Sequence, residues 1–286
     1  MANVKEILQR TPPSVLYHYT TQEGLLGIIR AKEIWASHTQ YLNDVREFVH
    51  ATELLTQELS QMETEAGADK VKGECLAEME KVVSLGLETV NVCVCSFSEE
   101  GDVLSQWRAY GGKASGIAVG FSGSFLRKMS EQYGWLVPVV YDREKQRWLV
   151  RTLLGDSLDE SLKSIREGNS GVSNLFEYLP RYAPILKHHS FVEEKEWRIV
   201  TRPLPCTDER FGYRPGGSML IPYFRLPLAI QEEGSIKEVV VGPTPYPKQS
   251  LRAVDGLLTK HDIPTSSLIS QDVVTVRSSE IPYRNW

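Results

Sequence analysis

The sequence predicts one α+β domain, residues 1–286, with a mixed β-sheet core and an acidic helical hairpin inserted at 44–89. Three observations carry this. Short β-branched runs recur along the whole chain. Between the first two of them lie long segments in which apolar residues repeat at helical spacing. Charge is also segregated: 44–89 holds 11 Asp/Glu against 4 Lys/Arg, while the remainder of the chain is close to neutral.

The elements follow in order. Val15–Thr20 reads as a strand. Thr21 then suits a helix N-cap, with Glu23 in the first turn and Leu25, Ile28, Ile29 and Trp35 on one helical side. In the acidic segment Val45, Phe48, Leu55, Leu59 and Met62 form one stripe. Val71, Leu76, Met79 and Val83 form a second after the break at 67–69. The outer face of this hairpin is expected to be solvated, with docking of a protein partner as the alternative. The period then changes to strands at 90–97, 116–121 and 136–141. Helices are expected at 145–167, 174–188 and 248–260, and strands at 196–201, 219–224, 237–241 and 273–276. The stretches 67–69 and 168–173 read as loops.

Composition narrows the function. With 41% hydrophobic and 24% charged residues the chain can bury a core. A net charge of −5 argues against a protein that coats DNA. The opening MANVKEILQR has no apolar signal core, and no run approaches the ~18 apolar residues of a membrane span. A cytoplasmic protein without a membrane partner is expected. Cys75, Cys93, Cys95 and Cys206 contain no Cys-x-x-Cys pair, and packing explains them more simply than a metal, so none is expected. There is no GxGxxG after a strand, no GxxxxGK[ST], no GxSxG and no HExxH.

Three local clusters remain. In Leu16-Tyr17-His18-Tyr19-Thr20, alternation separates the tyrosines from His18. A strand-end histidine flanked by hydroxyls can bond a ribose or phosphate, and a core histidine bonded to a carbonyl is the alternative. In Cys95-Ser96-Phe97-Ser98-Glu99, Ser96 and Ser98 share a face. The nearby Trp107-Arg108-Ala109-Tyr110-Gly111-Gly112 offers aromatics that either stack a ring or pack the fold. In Glu193-Glu194-Lys195-Glu196-Trp197-Arg198, carboxylates 194 and 196 are expected on one side of a strand. There they can divide labour between holding a substrate and handling a proton. Ordinary salt bridges to Lys195 and Arg198 are the alternative.

Taken together these motifs resemble a large bacterial family known only as domain of unknown function 2971. The matching pieces are LYHYT, EGLLGIIRAKEIW, the Asn43-Asp44 pair, CSFS, WRAYGG, GIAVGF, EKEWRIV, VVVGP and IPYR, from Leu16 to Arg284. More distantly, the order strand-His, Ser-x-Ser strand, Glu-x-Glu strand is similar to ADP-ribosyltransferases. That resemblance implies a mixed sheet like theirs, NAD as substrate, and a macromolecular acceptor, protein or nucleic acid. It also suggests a role as a toxin or in phage defence. By that resemblance His18, Tyr19 and Thr20, with Ser96, Ser98, Trp107 and Tyr110, bind the cofactor. Glu196 holds the ribose 2′-hydroxyl and Glu194 orients the acceptor. Breaking the nicotinamide bond builds positive charge on the ribose, which a fixed carboxylate stabilises. The sequence departs from that pattern in having SFS rather than Ser-Thr-Ser, and in the hairpin between the first two motifs.

Two rivals stand beside this reading. Glu193 and Lys195, with Asp44 or Asp102, form a Glu-x-Lys arrangement that suits a Mg²⁺-dependent nuclease. A non-catalytic nucleotide-sensing or partner-binding module is the other.

Overall fold

A computed structural model of the chain describes residues 8–42, 46–85, 91–112, 115–169, 175–229, 235–265 and 273–282. The fold is α+β. Among the described residues ten strands form one open, mixed sheet. They are β1 (Val15–Thr20), β2 (Glu33–His38), β3 (Cys93–Ser98), β4 (Ile117–Ser122), β5 (Gly134–Pro138), β6 (Glu196–Thr201), β7 (Phe211–Pro215), β8 (Leu220–Pro227), β9 (Ile236–Val241) and β10 (Thr275–Ser278). The order is β10-β9-β4-β1-β3-β2-β8-β7, with β6 also paired to β3 and β5 paired to β6. Every pairing is antiparallel except β9 with β10.

The sheet forks at β3. One edge of β3 pairs with β6 over residues 94–98. The other edge is shared: β1 meets it only at Tyr17↔Ser98, and β2 only at Ser37↔Val94 and His38↔Cys93. Between those contacts β1 and β2 diverge, joined by helix α1 (Gln22–Ala31). The Thr21 side chain caps α1 by accepting from Gly24 N at 3.1 Å, as its sequence predicts.

Alternation then decides what each face buries. One face carries Leu16, Cys95, Phe97, Trp197, Ile199, Phe224 and Leu226 against α1, α5 (Gly123–Tyr133) and α8 (Pro247–Lys260). The opposite face is covered in two separate patches. Over β3, β5 and β6, the residues Val94, Val137 and Val200 pack under α2 (Arg46–Ala66), α3 (Lys70–Leu85), α6 (Arg143–Arg166) and α7 (Leu175–Tyr182). Over β1, β4 and β9, a smaller cluster of Tyr19, Ala118 and Val240 lies under Trp107 of α4 (Leu104–Tyr110).

Several expectations need correcting. Trp35 is not on the helical stripe; α1 stops at Ala31, where Lys32 turns left-handed at φ 53°, and Trp35 lies in β2. Strands β2 and β7 and helices α4 and α5 have no counterpart in the sequence reading, although α5 carries Phe125, Leu126, Met129 and Tyr133 at helical spacing behind its Ser122 cap. The helix expected over 174–188 ends at Tyr182, and short 3₁₀ turns follow. The hairpin is not solvated throughout on its acidic side. Glu58 is 2% exposed and takes Arg147 Nε at 2.7 Å and Arg151 Nη1 at 3.4 Å, which pins α2 to α6. Val45, the side chain of Phe48, Asn43-Asp44 and Arg284 lie outside the described residues.

Candidate functional site

A polar stripe crosses the sheet between the two apolar patches. Direct pairing of β3 with β6 puts Ser96 beside Arg198 and Ser98 beside Glu196, all on the face shared with Tyr17 and Tyr19. Above them the chain approaching β6 folds over as a 3₁₀ segment, His189–Glu194, and turns at Lys195 with φ 42°. The carboxylates of Glu194 and Glu196 therefore converge through a turn, not through strand alternation. Both meet Lys187, whose Nζ lies 2.6 Å from Glu194 Oε2 and 2.8 Å from Glu196 Oε2.

Arg198 completes the cluster. Its Nε donates to Glu196 Oε1 at 2.7 Å and its Nη2 to Glu196 Oε2 at 3.0 Å, while Nη1 reaches the Pro184 carbonyl at 2.6 Å. Tyr141 Oη accepts from the Glu196 amide at 3.0 Å. Lys187, Glu196 and Arg198 are all buried. Burial by itself raises the pKa of Glu196, but the charges and hydrogen bonds of Arg198 and Lys187 outweigh it and bring the group to about 2. Glu194 moves the other way, because its burial exceeds what Lys187 returns. Burial, followed by the charges of Glu196 and Glu194, pushes the Tyr110 phenol up to about 12, so the hydroxyl stays neutral and able to donate.

The sequence-predicted residues divide into two groups. Tyr19, Ser98 and Trp107 hold the fold together. Tyr19 Oη donates to the Glu100 carbonyl at 2.8 Å and accepts from Val103 N at 3.1 Å. Ser98 Oγ donates to the Glu194 carbonyl at 2.8 Å and accepts from Glu100 N at 3.1 Å. Trp107 Nε1 donates to Asp102 at 2.7 Å. Tyr19→Phe is accordingly expected to destabilise the protein by about 1 kcal/mol, because it removes two hydrogen bonds to part-buried backbone groups, the Val103 amide and the Glu100 carbonyl. Urea unfolding measures this, and an unchanged midpoint would remove Tyr19 from that role.

Thr20, Ser96 and Tyr110 are different: their hydroxyls have no partner among the described residues. His18 is intermediate. Its ring lies across the sheet from Glu196, against Phe97 at 5.8 Å between centroids, and its Nδ1 meets the Ser96 carbonyl at 2.9 Å in the fork between β1 and β3. A carbonyl only accepts, so Nδ1 carries the proton. Burial lowers the His18 pKa, which favours the neutral ring with Nε2 as an acceptor. Nε2 has no partner among the described residues.

The structure also brings in Lys187 and Tyr141, which no motif had marked. Lys187 lies in a stretch that reads as helix, and nothing in its spacing signals that it folds back onto Glu196. Arg198, named in sequence only as a surface partner, is instead buried under that carboxylate. The Glu-x-Lys arrangement does not converge. Lys195 extends outward to Glu100 Oε1 at 2.7 Å, and Glu193 is exposed. Asp102 is engaged by Trp107, by Ser279 Oγ at 2.6 Å and by Glu280 N at 2.7 Å. Asp44 lies outside the described residues.

Comparison with known proteins gives one match. Residues 106–199 fit a family described as Protein of unknown function (DUF2971), a span running from α4 to β6 that includes Trp107, Tyr110, Lys187, Glu194, Glu196 and Arg198. This supports the family likeness over that third of the chain. No curated protein and no solved structure matches. Among the described residues no helix is long and apolar enough to cross a membrane.

Proposed function

We propose that this chain is an NAD-dependent ADP-ribosyltransferase-like enzyme that modifies a macromolecular acceptor, in keeping with a toxin or phage-defence effector. The observation that supports it is the in-register pairing of the Ser-x-Ser strand with the Glu strand, Ser96↔Arg198 and Ser98↔Glu196, beside the histidine strand β1. The three motifs, distant in sequence, are thus carried by neighbouring strands.

The residues suit a hydroxylated ligand. Glu196 is ionised and has about four lone-pair positions, of which Lys187 takes one and Arg198 two. One acceptor position on Oε1 is left for a ribose hydroxyl. Ser96 Oγ, beside Arg198, and Tyr110 Oη, which feels the charge of both carboxylates, are donors without competing bonds among the described residues. His18 points to the opposite face of the sheet, and its Nε2 does not reach this position. NAD, when bound, supplies the ribosyl bond that breaks. The protein's part is to hold a negative charge, fixed in advance by two cations, where positive charge develops. Glu194 has a raised pKa and, among the described residues, forms its ion pair with Lys187, so it is the better placed of the two to exchange a proton with an acceptor group.

The engagement of Glu196 by both cations favours a second reading, a non-catalytic nucleotide-sensing module in which the cluster is structural. Transfer of label from radiolabelled NAD to protein or nucleic acid in lysate separates the two. Label that is lost in Glu196→Gln and reduced in Ser96→Ala supports transfer. NAD binding without label from either protein supports the module.

A further inference from the structure

The face that carries Ser96 and Glu196 is covered by helices over β3, β5 and β6 and by α4 over β1, β4 and β9, but among the described residues no helix packs on it across β2, β8 and β7. Alternation and register place Trp35, Ser37, Tyr223, Arg225 and Arg214 together there. Trp35 is 43% exposed, and its ring stacks on Tyr223 with centroids 4.2 Å apart and planes inclined by 23°. The Trp35 Nε1 donates to Glu33 Oε1 at 2.9 Å, which fixes the ring's orientation. Beneath Tyr223 lies Gly212, where a Cβ would press on the phenol ring at 2.8 Å, so the glycine lets the ring lie against the sheet.

Two cations flank this stack. Arg214 Nη2 donates to Ser37 Oγ at 3.3 Å, and Arg225 donates to the carbonyls of Arg210 and Glu209. Neither forms an ion pair with a carboxylate among the described residues. In a chain of net charge −5, two arginines without acidic ion-pair partners among the described residues outnumber the one carboxylate at this indole, Glu33, which is held by the Trp35 Nε1. A protein partner's apolar anchor would need the ring but would gain nothing from the two cations. A planar base with phosphates on either side uses both.

We propose that this open face binds single-stranded nucleic acid, with a base stacked on the outer side of Trp35 and the adjoining phosphates on Arg214 and Arg225. The proposal does not rest on the transferase reading. Stacking on an aromatic tolerates any base, so recognition is by strand and charge more than by sequence.

Fluorescence anisotropy of the full chain with labelled oligothymidylate and oligouridylate tests it. Saturable binding is expected, weakened about 5- to 100-fold by Trp35→Ala and within about threefold of the original in Trp35→Phe, which keeps a ring. Arg214→Gln with Arg225→Gln is expected to flatten the dependence of log affinity on log salt by about 1–2. The DNA and RNA arms show whether the sugar matters. Equal binding by the original chain and Trp35→Ala overturns the proposal, as does no saturable binding of either oligonucleotide. Capture of a protein on this face by a chain that binds neither oligonucleotide overturns it too.

Discussion

Arg198→Met is expected to destabilise the protein by about 3–5 kcal/mol, seen as a lower urea midpoint at neutral pH. The guanidinium is 2% exposed and makes two hydrogen bonds to Glu196 and one to Pro184 O, so its loss leaves a buried carboxylate with Lys187 as its remaining cation partner. Lys187 is shared with Glu194 and cannot replace what is removed. Glu196→Gln combined with Arg198→Met should cost less than the sum of the two single changes, because the double variant buries neither an unpaired carboxylate nor an unpaired guanidinium. Strict additivity would mean that the two groups do not stabilise each other.

Acid titration reads the same interaction. The folded pKa of Glu196 is about 2 against an ordinary 4.5, so its contribution is full above the unfolded value and lost as pH falls toward 2. The difference corresponds to about 3 kcal/mol. Glu194 has the opposite sign: its ionised form is disfavoured by burial, so protonating it does not add to the acid loss. The Arg198→Met variant should therefore lose stability less steeply below pH 4.5 than the original protein.

The second large effect is on chemistry. Glu196→Gln is expected to lower ADP-ribose transfer about 10²–10³-fold, the usual consequence of removing one fixed electrostatic stabiliser. The amide keeps the shape but offers no charge to the ribose. Because the change also disturbs Lys187 and Arg198, Ser96→Ala and Tyr110→Phe are the companions that keep the result interpretable. Their hydroxyls have no partner among the described residues, so unfolding midpoints should stay put while transfer falls about 5- to 10-fold for each. Transfer at the original rate in Glu196→Gln would exclude Glu196 from the reaction.

Much of the scaffold was legible in the sequence because its signals are local. The Thr21 cap, the β-branched run at β3, the paired helical stripes of the hairpin and the glycine breaks each depend on neighbours a few residues away. Strand β2, between β3 and β8, and the edge strand β7 were not legible. The facing pattern of Trp35 or Tyr213 depends on whether a helix covers that part of the sheet, and no short window records this. The same limit applied to the helix expected through 188: its apolar residues continue, but the chain turns at Tyr182.

The candidate site divides along the same line. Strand parity alone determined that Ser96 and Ser98 share a face, whereas Glu194, expected on the same strand face as Glu196, lies before the strand and meets it only because the chain turns at Lys195. Only the tertiary structure decided that His18 sits in a fork across the sheet from Glu196, that Ser98 and Tyr19 are held by backbone groups, and that Lys187 and Arg198 keep Glu196 ionised. The placements of His18, Tyr19 and Ser98 depend on contacts about 80 to 100 residues apart in the chain, while Lys187 and Arg198, close to Glu196 in sequence, are brought to it by the turn before β6 and by burial under the helices. A buried charge takes its state from the neighbours that folding brings to it, and its own sequence position does not name them.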